Sequence, residues 1–110
     1  MLAMIGETVN VIVDRPLGSF HPEYSNLKYT VNYGYIQGLF ANDGEEQDVY
    51  ILGVDEPVES FTGKIIAIIH RRNDNEDKWV AAPEGCSFSK EYIYNRVEFQ
   101  EKHFDIEILT

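Results

Sequence analysis

The sequence has a single cysteine, few basic residues and no long hydrophobic run. Cys86 by itself can form neither an internal disulfide nor a cysteine-based zinc site, and this fits a reducing compartment. No stretch reaches about 18 consecutive apolar residues, and the N-terminus lacks the basic region of a signal peptide. These absences predict a soluble, cytoplasmic protein without a membrane partner.

The shortage of basic residues gives the chain a strong negative charge. Its 110 residues include 9 Lys plus Arg against 19 Asp plus Glu, a formal net charge of −10. A field of this sign repels the phosphates of nucleic acids, so no nucleic-acid partner is expected. A small anionic ligand would also be repelled, unless divalent cations and a local group of basic side chains compensate its charge.

The pattern of apolar residues indicates a mainly β protein in one domain, residues 1–110. Short runs rich in Val, Ile, Tyr and Phe are separated by Gly, Pro, Asn and Asp, which is typical of strands and turns. Many short strands followed by one late helix predict a small, largely antiparallel barrel of five to six strands with one C-terminal helix. We predict strands at 8–13, 34–40, 47–53, 63–72, 78–83 and 104–109, and a helix at 89–97 with Ser89 as its N-cap.

The most informative segment places Asp43, Glu45 and Asp48 around one glycine turn. Crowded carboxylates repel one another unless water, basic side chains or a metal ion compensates them, and clusters of oxygen ligands suit Mg²⁺, Mn²⁺ or Ca²⁺. The alternative is a solvated hairpin tip, because Asn42 and Gly44 tolerate the positive φ angles of tight turns. The residues of this segment alone leave both interpretations open.

A second acidic segment, residues 73–77, forms the predicted tip between the strands at 63–72 and 78–83. Its carboxylates could complete a metal site, or they could simply form ion pairs with neighbouring basic residues, namely Arg71, Arg72 and Lys78. Asp48 differs from these groups because a run of apolar residues follows it directly. An unpaired carboxylate at the mouth of a buried strand is costly, so Asp48 requires a metal ion or an arginine as its partner.

Three blocks of the sequence resemble a known enzyme family. Residues 32–36, NYGYI, followed by Asp43-Gly44-Glu45 and Asp48, resemble the signature of the soluble, metal-dependent inorganic pyrophosphatases of the OB-barrel type, without a gap. Residues 78–83, KWVAAP, are similar to the strand that follows the family's other acidic loop. Residues 13–16, VDRP, resemble the end of its first strand.

The resemblance implies an OB-like barrel that hydrolyses inorganic pyrophosphate or a related small phosphoanhydride, with Mg²⁺ as cofactor and Mn²⁺ as the alternative. Two such ions about 3.5–4 Å apart can deprotonate the water between them and neutralise charge on the leaving phosphate. By resemblance the metal ligands are Asp43, Asp48, Asp74 and Asp77, with Glu76 as the alternative to Asp77. The resemblance also assigns catalytic roles to Glu45 as general base and to Tyr33 and Lys78, and it suggests substrate contacts from Arg15, Arg71, Tyr33 and Lys78.

Several positions depart from the family pattern. Glu45 is one methylene longer than the usual aspartate, and a misplacement of about 1 Å can cost about a hundredfold in rate. His103 and Phe104 stand where the family has a tyrosine and a phosphate-gripping lysine, and residues 16–28 replace a longer hairpin. The alternative function is therefore a weak or inactive domain that binds metal and a phosphate ligand, or an interaction module. A barrel this small also predicts a homo-oligomer that covers exposed aromatic side chains.

Overall fold

The structure is a computed structural model that describes residues 5–73 and 76–110. Within these residues there are six strands and one helix, whose order along the chain is strand, strand, strand, strand, strand, helix, strand. Their bounds are β1 Thr8–Arg15, β2 Asn32–Phe40, β3 Glu46–Ile51, β4 Ser60–Arg71, β5 Glu76–Ala82, α1 Lys90–Glu101 and β6 Ile106–Leu109.

Five of the strands close into a barrel. They pair in the order β1-β2-β3-β5-β4, and β4 returns to pair with β1. The β3–β5 pair is parallel, whereas the other described pairs are antiparallel. Strand β6 lies on the free side of β4 and adds a sixth strand outside the ring. These pairings confirm the predicted fold class, a small and largely antiparallel barrel of mainly β structure with one late helix.

Two hydrophobic clusters lie on opposite faces of the strands, because successive side chains of a strand point to opposite sides. Strands β1 to β5 all contribute to the first cluster, which fills the barrel; its buried members are Val11, Val49, Ile51, Ile65, Trp79 and Ala81. The second cluster lies between the outside of the barrel and the helix, and its buried members are Tyr29, Val31, Tyr33, Tyr50, Leu52, Ala67, Ile69, Val80, Ile93 and Val97. The outer cluster forms the base on which the candidate site is built.

Helix α1 begins where the sequence predicts it and extends further, to Glu101. The Ser89 hydroxyl accepts a hydrogen bond from the backbone N–H of Tyr92 at 3.1 Å, so Ser89 is confirmed as the N-cap. Ile93 and Val97 are fully buried against the barrel. Among residues 5–73 and 76–110 there is no helix with the length and apolar character needed to cross a membrane.

We expect Ser89→Ala to lower the free energy of unfolding by about 1 kcal/mol, because it leaves an N–H group of the first helical turn without its acceptor. Urea denaturation followed by circular dichroism would measure the change. Ser87→Ala is a matched control, since Ser87 is exposed and lies before the helix. Equal midpoints for the two variants would contradict the capping role.

Candidate functional site

A pocket of about 990 Å³ opens between the outer face of the barrel, the loop between β1 and β2, and the C-terminal end of α1. Its lining includes five of the chain's 9 basic residues, which are Arg15, Lys28, Arg71, Lys78 and Lys102. The acidic residues of the lining are Asp14 and Asp48. A chain of net charge −10 thus concentrates its positive charge in one concave site, as the recognition of a small anion requires.

Two residues of the pocket lining, Asp48 and Lys78, form an ion-paired cluster with the neighbouring Glu76. Strands β3 and β5 run parallel with Val49 opposite Trp79, and this register brings the preceding residues Asp48 and Lys78 together. The Lys78 Nζ atom lies 2.6 Å from Asp48 Oδ2 and 2.6 Å from Glu76 Oε2, and its side chain is 6% exposed. The partner that Asp48 was expected to need is therefore a lysine.

The strand alternation of β5 decides which acidic residue lies beside Lys78. Glu76 and Lys78 are two residues apart, so they share one face, whereas Asp77 points to the other face. There Asp77 Oδ1 lies 2.7 Å from His70 Nδ1. The structure therefore brings Glu76, and not Asp77, to the cluster. The spacing from Lys78 could have identified Glu76 from the sequence; Asp74 lies outside the described residues.

The turn that contains Asp43 and Glu45 lies outside the pocket. Both residues are exposed, and Asp43 Oδ1 accepts a hydrogen bond from the Glu45 backbone N–H at 3.0 Å. Gly44 supplies the positive φ of 85° that this turn needs. The Asp43 carboxylate thus builds the hairpin tip, and the structure does not bring it together with Asp48. The roles suggested for Asp43 and Glu45 remain predictions that the pocket geometry does not support.

The residues of the cluster fit a divalent ion in one specific way. Asp48 and Glu76 offer oxygen ligands, which suit Mg²⁺. Within the described part of the chain, no group of three or more His, Cys, Asp and Glu side chains is placed to hold a metal ion. Mg²⁺ is commonly bound through one or two carboxylates together with waters and substrate phosphates. The site therefore fits an ion that is shared with a phosphate ligand, and it does not form a metal cage of its own.

At the edge of the outer cluster, Tyr33 stays protonated and neutral, and Lys78 stays protonated and charged. Tyr33 is 8% exposed, its ring packs against Tyr29 and Tyr50, and burial raises the pKa of its hydroxyl well above the ordinary value. Burial by itself would lower the pKa of Lys78, but the oxygens of Tyr33, Asp48 and Glu76 raise it above its usual range. Tyr33 is therefore a neutral hydrogen-bond donor, and Lys78 stays positively charged.

Arg71 is the most firmly held basic residue of the pocket. Its Nε and Nη2 atoms donate to the two oxygens of Glu101 at 2.9 and 2.6 Å, and the Glu101 side chain is completely buried. Arg71 Nη1 also lies 3.5 Å from Glu76, and the ring of Phe104 covers the guanidinium at 3.7 Å. Arg71 was predicted to contact substrate; the structure places it in the pocket lining, with its charge already compensated by two carboxylates.

The Glu101 carboxylate continues into a network of buried hydrogen bonds. The Tyr50 hydroxyl donates to Glu101 at 2.6 Å and accepts from Gln100 Nε2 at 2.6 Å. Gln100 in turn accepts from the Tyr29 hydroxyl at 3.0 Å. The sequence analysis missed Glu101, although it follows Ile93 and Val97 at the four-residue spacing of one helix face. This network joins the end of α1 to the barrel and to the loop before β2.

Arg15 lines the pocket and is only partly paired. Its Nη1 atom lies 3.3 Å from Asp14 Oδ2, and within the described residues its buried Nε has no hydrogen-bond partner. Burial raises the pKa of Asp14, while Arg15 opposes this shift and the charge of Asp48 adds to it. Asp14 and Asp48 are thus electrostatically coupled, and the Arg15 side chain, which is 31% exposed, lines the pocket beside Asp14.

The fold can be compared with proteins of known structure. No family model matches the chain, and no curated protein matches it. An inorganic pyrophosphatase from Ehrlichia chaffeensis superposes with a TM-score of 0.71 at 18% identity, over 96% of this chain and 86% of the other. An inorganic pyrophosphatase from Neisseria gonorrhoeae gives 0.68 at 18% identity, over 90% and 74%. The enzyme from Thermus thermophilus gives 0.62 at 13% identity, over 98% and 86%.

The superpositions agree with the blocks of sequence that resemble the same proteins. The agreement spans nearly the whole chain, while the identity of 12–18% shows how far the side chains have diverged. At this identity the likeness establishes the fold. The protein folds as a shortened, divergent relative of the inorganic pyrophosphatase barrel.

Proposed function

We propose that this protein binds inorganic pyrophosphate, or a related small phosphoanhydride, in the pocket and hydrolyses it with Mg²⁺, with Mn²⁺ as the alternative ion. The observation that carries this proposal is the Asp48–Lys78–Glu76 cluster, which lies in a pocket lined by five basic residues on a pyrophosphatase-like barrel. Charged lysine and arginine donors recognise phosphate oxygens, and the two carboxylates supply oxygens for an ion that bridges to the phosphate.

In this scheme the residues of the pocket have distinct tasks. Lys78 and Arg15 donate hydrogen bonds to phosphate oxygens, and the Tyr33 hydroxyl adds a neutral donor beside Lys78. Asp48 and Glu76 would hold the ion, and a bound divalent ion supplies charge neutralisation and a more acidic water. Asp48 lines the pocket and would be available to accept a hydrogen bond from such a water, whereas Glu45 lies on the exposed turn.

The experiment that tests hydrolysis is phosphate release from pyrophosphate with Mg²⁺. We expect Asp48→Asn to lower the rate by at least about a hundredfold, because it removes both an ion ligand and a water-orienting carboxylate. Asp55→Asn is the matched control, since Asp55 is exposed and lies outside the pocket lining. A wild-type rate equal to the protein-free blank would remove the hydrolase assignment, and equal rates for the two variants would remove the role of Asp48.

A non-catalytic phosphate-binding domain is the second candidate. It is favoured by the exposed position of Asp43 and Glu45 and by Phe104, whose ring covers Arg71 where the family resemblance expects a lysine. This candidate predicts that methylenediphosphonate, a non-hydrolysable analogue of pyrophosphate, binds the pocket while no phosphate is released from pyrophosphate. Calorimetric titration beside the release assay separates the two functions.

Self-association and a cytoplasmic location also remain predictions. The first is supported by large apolar side chains that stay exposed in the described monomer, which are Ile5, Ile12, Phe20, Tyr24, Phe40, Tyr92 and Leu109. Light scattering after size-exclusion chromatography would measure the mass of the assembly directly. A monomeric mass at high protein concentration would contradict the prediction of a homo-oligomer.

A further inference from the structure

The Asp48–Lys78–Glu76 cluster contains two negative charges and one positive charge, and this affects how readily it binds a metal ion. One ammonium group lies between two carboxylates, 2.6 Å from an oxygen of each. The Lys78 side chain is 6% exposed, whereas the side chains of Asp48 and Glu76 are 34% and 20% exposed. Asp48 and Lys78 both line the pocket, and the lysine that the two carboxylates share is the least exposed member of the cluster. The position between the two oxygens is already filled by a positive charge.

A divalent ion that entered this site alone would have to displace Lys78 from both carboxylates. The ammonium group would then remain buried beside a doubly charged ion and would lose two acceptors, which is unfavourable in a poorly solvated site. Arg71 cannot replace the lost acceptors, because it is itself a cation and already shares Glu76 and Glu101 as partners. The free protein therefore has little tendency to load the ion in advance.

An anion with several oxygens lowers the cost of displacing Lys78 from the two carboxylates. Its phosphate oxygens can accept the hydrogen bonds of Lys78, which has three N–H donors, and can thereby release carboxylate oxygens for an ion. The same anion supplies additional ligands to that ion. The Arg15 side chain, which lines the same pocket and is 31% exposed, gives the anion a further positive charge.

We propose that Lys78 is the built-in counter-ion of Asp48 and Glu76, and that the site accepts a divalent ion only together with a phosphoanhydride. The inference rests on the proposed function for the choice of anion, and it adds that ion and anion bind with positive coupling. Because such coupling is reciprocal, the anion by itself is also expected to bind more weakly than its complex with the ion.

Three calorimetric titrations into the wild-type protein test the coupling. The ligands are Mn²⁺ alone, methylenediphosphonate alone in metal-free buffer, and their preformed equimolar complex. We expect the complex to bind at least about tenfold more tightly than either component, which lies within the usual range of coupling between sites. Binding of Mn²⁺ alone with an affinity within about threefold of the complex would overturn the proposal.

Removal of the built-in cation gives an independent test. Lys78→Met leaves two carboxylates without their shared partner, so we expect Mn²⁺ alone to bind at least about tenfold more tightly than in the wild type. In the double variant Lys78→Met with Asp48→Asn, we expect the gain in Mn²⁺ affinity to disappear. Lys64→Met is the control, because Lys64 is 38% exposed and its partner Glu84 is 81% exposed, outside the pocket. Unchanged Mn²⁺ affinity in folded Lys78→Met protein would overturn the proposal.

The coupling and the hydrolytic function can fail separately. Phosphate release by a protein that binds its ion before the anion would overturn the coupling and leave the hydrolase intact. Tighter binding of the complex without phosphate release would support the coupling and remove hydrolysis. Should Lys78→Met fail to fold, the three wild-type titrations still decide the matter, since they need no variant.

Discussion

Replacement of Glu101 by glutamine is expected to lower the free energy of unfolding by about 3–5 kcal/mol, the largest effect of any single charge change in this protein. The Glu101 side chain is fully buried and binds Arg71 through both of its oxygens. Glutamine keeps the shape but leaves the Arg71 charge buried with less compensation. Since typical domains are stable by about 5–15 kcal/mol, much of the protein would lose its folded structure.

Urea denaturation with Glu98→Gln as control would measure this effect. Glu98 lies on the same helix but is exposed, so its replacement should change stability by less than about 0.5 kcal/mol. The double variant Arg71→Met with Glu101→Leu is expected to be more stable than Glu101→Gln, because it leaves neither member of the pair as an isolated buried charge. Equal midpoints for Glu101→Gln and Glu98→Gln would show that the buried pair contributes nothing.

The second large effect is expected for Gly34→Ala, with a loss of at least about 4 kcal/mol. A Cβ atom at Gly34 would collide with the backbone carbonyl of Ile12 on β1, and its next neighbour is the Cα atom of Val13. Backbone atoms cannot move aside as the end of a flexible side chain can, so β1 and β2 would have to separate. Because β2 also carries Tyr33, the pocket would be lost with the pairing.

Gly44→Ala is the informative comparison for this prediction. Gly44 has a φ of 85° but nothing within 4 Å of the added Cβ, so its replacement costs only the strain of the left-handed conformation, about 1–2 kcal/mol. The yield of folded protein and the urea midpoint distinguish the two variants. A Gly34→Ala protein as stable as Gly44→Ala would mean that the two strands are further apart than the structure places them.

Much of the secondary structure follows from local patterns in the sequence. The alternation of Val9, Val11 and Val13 identified β1, and the N-cap Ser89 identified the start of α1. The turn at Gly44 was also expected, and the structure shows it exposed, while the metal-binding role of its carboxylates stays a prediction. These features depend on backbone conformations and side-chain directions of neighbouring residues, which the sequence specifies directly.

The candidate site was only partly predictable. Asp48, Tyr33 and Lys78 were selected from the sequence, and the structure brings them to one pocket with Arg15 and Arg71. The sequence analysis preferred Asp77 to Glu76 because the register of the acidic tip was ambiguous. The pairing of His70 with Asp77 across β4 and β5 resolves that register and turns Glu76 toward Lys78.

The buried partners of the site were not predictable from composition. Glu101 belongs to a helix face with Ile93 and Val97. Its partner is Arg71, the last residue of β4, and that contact depends on how the helix packs against the barrel. The expected meeting of Asp43 with Asp48 was equally a matter of tertiary structure. Asp43 uses its carboxylate in the turn, and the residues of the turn are not part of the pocket lining.

By itself the sequence determined the class of fold, the position of most strands and the capped helix, because periodic apolar residues, turn residues and N-caps act over a few neighbouring positions. Tertiary structure alone decided that Asp48 and Lys78, which are 30 residues apart, share a hydrogen bond, and that one ammonium group serves two carboxylates. Such contacts depend on the parallel pairing of β3 with β5, and no local pattern records which strands close a barrel.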